Sequence, residues 1–289
     1  MLGPLLFIIF INDLPECCED LCDIFMFADD AKLYKCINSI NDCSTLNDCC
    51  QRVLDWSKQW YMKLNADKCK VLKIKHRSKE EIAYDFSLMF DGNNCTNLEN
   101  VSEMKDLGVI VDSELSFGNH IYDKINKAYQ MLGIIKRNFC NINKEVFMLL
   151  YKGLLRSQLE YANSVWNPYK VSLIRDLEKV QKRATKIVGV CKKLPYGERL
   201  RLLNLPTLRF RRIRGDMIEV YKIVTGNYDA RVSPVLPRNL DSRTRGNSYK
   251  FLHVRAKYDI RKFNFCSRIV NYWNCLPDAV VNSVSLNSF

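Results

Sequence analysis

Apolar and polar positions alternate along this chain with a period that changes from segment to segment. Leu5-Leu6-Phe7-Ile8-Ile9-Phe10-Ile11 is apolar without a break, between Gly3-Pro4 and Leu14-Pro15, and predicts a buried helix or strand. From Cys22 to Tyr34, two apolar, β-prone flanks enclose Asp29-Asp30, which predicts a β-hairpin with both carboxylates at its turn. Leu46, Cys50, Val53, Leu54 and Trp56 recur at helical spacing, and Lys70-Val71-Leu72-Lys73-Ile74 then alternates as a half-exposed strand does. Residues 76–103 are polar and uneven, and predict a variable strand-and-loop region. Gly108 interrupts a β-prone run over 104–112, the signature of a bend or of a close backbone approach. Beyond residue 119 the pattern is mainly helical. Val146, Leu150 and Leu154 form one i,i+4 row, Phe147, Tyr151 and Leu155 a second, and Leu173, Leu177, Val180, Ala184 and Ile187 a stripe that ends near Gly189.

Charge changes this picture more than composition does. An apolar fraction of 47% is ordinary for a globular protein of 289 residues, but Lys+Arg 44 against Asp+Glu 32 gives a formal net charge of +12. Such a surface favours polyanions, nucleic acid before anionic membrane. The charge is also unevenly placed. Residues 1–30 carry seven acids and no Lys or Arg, whereas residues 181–225 carry twelve bases and three acids. Arg175, Lys179, Lys182, Arg183 and Lys186 fall on one face of the helix built on Leu173 and Leu177. A lone basic face is more often a solvated one. Here a second basic block follows, Arg209, Arg211, Arg212 and Arg214, on a helix whose apolar side reads Phe210, Ile213, Met217, Val220, Tyr221 and Val224, with Gly226 to cap it. Together the two helices predict phosphate contacts that read no sequence.

Asp29-Asp30 admits two readings. Asp is a good turn residue. Adjacent carboxylates in aromatic surroundings also repel one another unless a cation neutralises them, and Mg²⁺, a hard cation held by carboxylate and phosphate oxygens, is the natural partner. Other chemistries fit less well. The thirteen cysteines show no disulfide framework. Cys17, Cys18 and Cys22 cluster, as do Cys43, Cys49 and Cys50, but neither cluster has a partner pair at zinc-finger spacing, and the histidines are His76, His120 and His253. Reduced cysteines in an intracellular protein, in nucleus or cytoplasm, are the expectation. The apolar run near the start is seven residues long, against about 20 for a membrane span. No basic residue precedes it, which argues against a secretory signal.

Phe27-Ala28-Asp29-Asp30 resembles the Tyr/Phe-X-Asp-Asp motif C of reverse transcriptases. The order of the surrounding blocks sharpens the resemblance to those of non-LTR retrotransposons (long interspersed elements, jockey-type). Leu2-Gly3-Pro4-Leu5-Leu6-Phe7 with Ile11-Asn12-Asp13-Leu14-Pro15 is similar to the end of motif B. Leu64-Asn65 with Lys68-Cys69 is similar to motif D, and Asp106-Leu107-Gly108 with Asp112 to motif E, the primer grip. Leu159-Glu160-Tyr161, Val165-Trp166-Asn167-Pro168, Leu177 to Ala184 and Arg211-Arg212 with Gly215-Asp216 are similar to the thumb-region signature. Phe263 to Arg268 with Trp273-Asn274 and Leu276-Pro277 is similar to the common C-terminal block.

The resemblance implies an α+β fold: a partial polymerase palm over 1–118, a small antiparallel sheet with helices, then a helical thumb over 119–200 and a basic helical region over 201–289. It implies two-metal nucleotidyl transfer with Mg²⁺. Asp29 would be a metal ligand and Asp30 a supporting one. Phe27 and Ala28 would lie near the primer terminus, Leu107-Gly108 would hold the primer, and Lys68 would neutralise or protonate pyrophosphate. The implied partners are an RNA template with a DNA primer or an RNA–DNA hybrid, and deoxynucleoside triphosphates, with no membrane and no defined protein partner. The chain begins inside the motif B block, so the family's motif A aspartate is not in it. The expectation is a polymerase fragment that is inactive alone. The competing expectation is a non-catalytic basic nucleic-acid-binding protein or an unselected relic.

Overall fold

Helix α1, Leu2–Ile11, forms from the apolar run and turns at Asn12-Asp13 into a 3-10 helix, Leu14–Cys18. The computed structural model describes residues 2–18, 21–75, 82–90, 95–139, 141–239 and 247–289; Glu19, Asp20, His76 and much of the uneven stretch after it lie outside the described residues. Of the helix or strand predicted, a helix forms, but the predicted burial does not hold. Of α1 only Ile11 is buried, while Leu2, Leu5, Leu6, Ile8 and Ile9 are exposed. A helix apolar all round has more faces than neighbours, and here only Phe7, Phe10 and Ile11 find a core.

The packing separates two units, Met1–Met104 with Asp112–Glu114, and Lys105–Val111 with Leu115–Phe289. In the first, strands β1, Asp23–Phe27, and β2, Asp30–Tyr34, form an antiparallel hairpin in the register Phe27↔Asp30 to Asp23↔Tyr34. Helix α2, Ile40–Gln59, follows. Its start is fixed by the Asp42 carboxylate, which accepts from the Asn38 and Ser39 amides at 3.0 and 2.9 Å and from Ser39 Oγ at 3.0 Å. Two small cores flank α2. Trp56 and Val53 pack with Ile11, Leu14, Ile24 and Met26, and Leu54 and Cys43 pack with Phe86, Leu88 and Leu98.

The remaining strands are short: β3, Lys70–Leu72; β4, Ser87–Met89; β5, Cys95–Asn97; β6, Glu99–Val101; β7, Glu103–Asp106; and β8, Val109–Asp112. The α+β class is as expected, with small antiparallel pairing divided among several two-stranded sheets. Among the described residues the strands pair as β1–β2, β3–β6, β4–β5 and β7–β8, each a two-stranded sheet, and β3–β6 is parallel. Strands of three residues offer too little pairing to extend a sheet, and each pair is held by its cover on α2 or by its own turn.

The second unit is helical: α3, Gly118–Asn138; α4, Lys144–Leu150, continued by a π-helical turn, Tyr151–Arg156, and α5, Ser157–Glu160; α6, Asn163–Trp166; α7, Val171–Ala184; α8, Tyr196–Leu203; α9, Leu208–Val224; and after a long connection α10, Asp259–Lys262, α11, Phe265–Asn274, and α12, Asp278–Val281. Of the two rows predicted across α4 and its continuation, Phe147, Tyr151 and Leu155 are buried and Leu154 is exposed. The stripe on α7 is buried as expected, from Leu173 to Ala184, with Gln181 among it. Gln181 is satisfied in the interior. Tyr151 donates its hydroxyl to it, and its amide reaches Tyr196 Oη at 3.0 Å and the Pro206 carbonyl at 2.9 Å.

His120 on α3 is fully buried against the Trp166 ring, and its Nδ1 accepts from the Ile110 amide at 3.1 Å. Burial first, then the charge of Lys124, pulls its pKa from 6.5 down to about 4. The unfolded chain therefore binds the proton more readily, so this contribution to stability is whole above pH 6.5 and drains away as pH falls to about 4. Its full size is at most about 3 kcal/mol. Thermal unfolding over this range should show the loss in the native chain and a smaller one in His120→Asn, whose Oδ1 can still accept from Ile110. Parallel profiles would sink the assignment.

Candidate active site

The carboxylate pair sits at the end of the β1–β2 hairpin. With Phe27 paired to Asp30, the connection is Ala28-Asp29 alone. Ala28 has φ 53°, the left-handed region that a two-residue hairpin demands and that an alanine enters at a cost of about 1–2 kcal/mol. The strain is held by the five paired positions behind it and by the inner face, where Ile24 and Met26 pack on Trp56, Ile11 and Leu14. The alternation of the strand puts Asp23, Phe25 and Phe27 on the opposite, exposed face. Asp29 and Asp30 are both exposed, and neither side chain makes a hydrogen bond or ion pair with the described residues. Adjacent unpaired carboxylates on a rigid tip are a donor set that fits a hard divalent cation. They are also an incomplete one: among the described residues no acidic group of three or more lies within ligating distance.

Lys68 lies elsewhere in the same unit. Asn65 caps a single 3-10 turn, Ala66–Lys68, by accepting from the Asp67 amide at 3.1 Å, and the Cys69 thiol donates to the Asn65 carbonyl at 3.3 Å. Leu64 and Cys69 anchor the turn in the core beneath α2, and Lys68 stands exposed. The Leu-Asn…Lys-Cys spacing thus makes a small capped turn that presents a lysine. No hydrogen bond or ion pair joins Lys68 to Asp29 or Asp30.

In the second unit, Leu107-Gly108 is the two-residue turn between β7 and β8, with φ of 42° and 83°. The expected close approach is real. Tyr161 Oη donates to the Leu107 carbonyl at 2.7 Å, and a Cβ on Gly108 would lie 3.3 Å from the Tyr161 ring. Tyr161, a residue the sequence offers only as part of a longer block, is therefore what fixes this turn. It is held in its own turn by Trp166 Nε1, which donates to its carbonyl at 2.7 Å, and Lys124 lies over its ring.

Arg175, Lys179, Lys182, Arg183 and Lys186 are all exposed, the first four along α7 and Lys186 just past its end. Lys179 is paired to Asp176 at 2.8 Å, while Lys182 and Arg183 lie over the Tyr196 and Tyr129 rings at 5.2 and 5.3 Å. The second basic block needs correction. Arg209 is exposed, but Arg212 is buried at 2% exposure, and Arg211 is committed to Glu160 through two hydrogen bonds of 2.9 Å. Phe210, expected on the apolar side, is 57% exposed. Met217, Val220 and Tyr221 are buried as expected, but Arg212 and Asp216 are buried with them, and the Glu160–Arg211 and Arg268–Asp216 pairs engage the polar residues of α9. Arg211 and Arg212 therefore do not face solvent as a phosphate-binding pair.

Residues 1–111 match the family of reverse transcriptases (RNA-dependent DNA polymerases). That match and the two transposon relatives described next support a non-LTR retrotransposon reverse transcriptase. The chain is similar to a probable RNA-directed DNA polymerase from transposon X-element of Drosophila melanogaster, 23% identical over 208 residues, 66% of this chain and 21% of that protein. It is also similar to a probable RNA-directed DNA polymerase from transposon BS of the same organism, 25% identical over 228 residues, 72% of this chain and 24% of that one. An uncharacterized protein of Caenorhabditis elegans is 27% identical over 130 residues, 44% of this chain and 66% of its own length. The chain thus spans between a fifth and a quarter of the two transposon proteins. No solved structure matches it. Among the described residues no helix is long and apolar enough to cross a membrane.

Proposed function

We propose that this chain supplies the catalytic hairpin, primer-holding turn and thumb of an RNA-directed DNA polymerase, and that it needs carboxylates from a further element to polymerise. The observation that carries the reading is the unpaired Asp29-Asp30 pair on a rigid two-residue hairpin tip, inside the segment that matches reverse transcriptases. Asp29, with Asp30 in support, would hold Mg²⁺, which when bound in a two-metal site supplies activation of the primer 3′-hydroxyl and charge for the departing pyrophosphate. Phe27 and Ala28 flank the primer terminus. The Leu107-Gly108 turn, stiffened by Tyr161, holds the primer strand, and Lys68 neutralises or protonates pyrophosphate. The exposed bases of α7 neutralise phosphates of the RNA template and DNA primer or of their hybrid. Palm, thumb and C-terminal region correspond to 1–118, 119–200 and 201–289.

The exposed α7 bases also favour a second reading, nucleic-acid binding without catalysis. One experiment separates the two: primer extension on an RNA template with deoxynucleoside triphosphates and Mg²⁺ or Mn²⁺. The chain alone should bind RNA and yield no template-dependent product. A longer protein that brings a further carboxylate-bearing element should extend the primer and lose that activity in Asp29→Ala. Product from this chain alone would show that no further element is needed. Extension by the longer protein that survives Asp29→Ala would sink the proposed site and leave the binding reading.

A further inference from the structure

The fold brings together two cysteine groups that stand apart in sequence. Cys18 ends the 3-10 helix after α1, Cys22 immediately precedes β1, and Cys49 lies on α2. The amides of Leu21 and Cys22 donate to the Cys18 carbonyl at 3.1 and 3.4 Å, a turn that brings the i and i+4 thiols to the same side. Cys18 Sγ points at the Cys49 carbonyl, 4.0 Å away, and the three sulfur atoms lie within 4.8 Å of one another. All three are free thiols. Cys18 and Cys49 have no exposed surface, whereas Cys22 is half-buried and leaves the group open on one side.

Packing alone accounts poorly for this arrangement. A buried thiol behaves as a small apolar side chain, and Cys43 and Cys191 fill that role singly. Three sulfurs converging on one point offer the ligands of a soft or borderline cation. We propose that Cys18, Cys22 and Cys49 form a zinc site of three thiolates, with the fourth position open to water beside Cys22. Zinc–sulfur bonds of about 2.3 Å in a tetrahedral site set sulfurs about 3.8 Å apart, so a contraction of about 1 Å or less closes the site. Without the ion, burial and the neighbouring sulfurs push the Cys18 thiol up to about 11 and Cys22 higher still, so both are neutral. Binding zinc releases their protons to solvent, and the ion offsets the thiolate charge.

The site has a place in the architecture. Cys22 adjoins Asp23, the first residue of the strand that leads into the Ala28-Asp29 turn. A zinc ion there fastens the base of the catalytic hairpin to α2. The proposal rests on the cysteine geometry alone and stands or falls independently of polymerase activity.

The full chain is purified under reducing conditions without chelator and dialysed, and its zinc is quantified. Co²⁺ is then exchanged in as a spectroscopic probe of thiolate ligation. The expected result is a single zinc per chain and a thiolate-to-cobalt charge-transfer band. Both should be lost in Cys22→Ser, with affinity lowered by more than about 100-fold, and both kept in Cys95→Ser, whose thiol is exposed and outside the group. Cys22, being half-buried, is the informative position even if Cys49→Ser fails to fold. Failure to retain zinc overturns the proposal. So does equal retention by Cys22→Ser, or a disulfide among these cysteines in the purified reduced protein.

Discussion

Replacing Asp216 with Ala is expected to destabilise the second unit by about 3–5 kcal/mol, because it strands a buried charge. Asp216 and Arg268 meet through two hydrogen bonds of 2.9 Å, with side-chain exposures of 4% and 12%. The same carboxylate accepts from Asn167 Nδ2 at 3.1 Å, and Arg268 also donates to the carbonyls of Ser164 and Phe263. One interaction therefore ties α9 and α11 to the segment around α6. Removing the carboxylate leaves a guanidinium without its counter-ion where water cannot reach it easily. Asp229→Ala is the control: its partner Arg231 is 88% exposed, and an exposed pair screened by solvent contributes little to stability. Denaturant unfolding of the two variants should separate them clearly, and adding Arg268→Met to Asp216→Ala should restore part of the loss. A midpoint for Asp216→Ala no lower than that for Asp229→Ala would refute the argument.

This pair also shows how far the sequence can be read. Trp166-Asn167, Gly215-Asp216 and Ser267-Arg268 stand out one by one in blocks that resemble those of non-LTR reverse transcriptases, but nothing in their spacing says that they converge. The hairpin is different. Its strands are adjacent and its alternation is local, so the hairpin and its end are legible from the order of residues alone, with Asp29 in the turn and Asp30 one position further on, in the first pair of β2. The same holds for α7, whose buried stripe and exposed bases follow from a 3.6-residue period. Legibility ends where a distant partner decides the outcome. Leu2, Leu5, Leu6, Ile8 and Ile9 look like core and lie open, because apolar sequence specifies the wish for cover and not its supply. Cys18 and Cys22 find Cys49 only after α2 folds back over the 3-10 helix. Tyr161 has no local mark of its contact with Leu107, 54 positions away.

The sharpest case of a distant partner overruling a local pattern is Arg212, and it yields the second large effect. Helix α9 carries Arg209, Arg211, Arg212 and Arg214 within six residues, so bases point to every side and periodicity cannot say which is buried. Glu160 decides by taking Arg211. Arg212 then turns inward among Glu178, Asp216 and Glu160, and its Nε and Nη2 find no acceptor. Burial pulls its pKa below the ordinary guanidinium value, down to about 10, so it remains charged at neutral pH with two donor atoms unsatisfied. The nearby acids do not depend on it: Asp216 has Arg268, Glu160 has Arg211, and Glu178 accepts from Tyr196 and from the Leu208 amide. Arg212→Met is therefore expected to leave stability unchanged or raise it, by up to about 1–4 kcal/mol. It should leave RNA affinity and its salt dependence untouched. Converting Lys182, Arg183 and Lys186 together to Gln should do the reverse. Stability should barely move, while the slope of log affinity against log salt for single-stranded RNA should shallow by about 2, at about 0.7 per lost phosphate contact. Fluorescence anisotropy across a salt series measures both variants. A shallower slope for Arg212→Met would place Arg212 against phosphate after all, and an unchanged slope for the triple variant would take the phosphate-binding face away from α7.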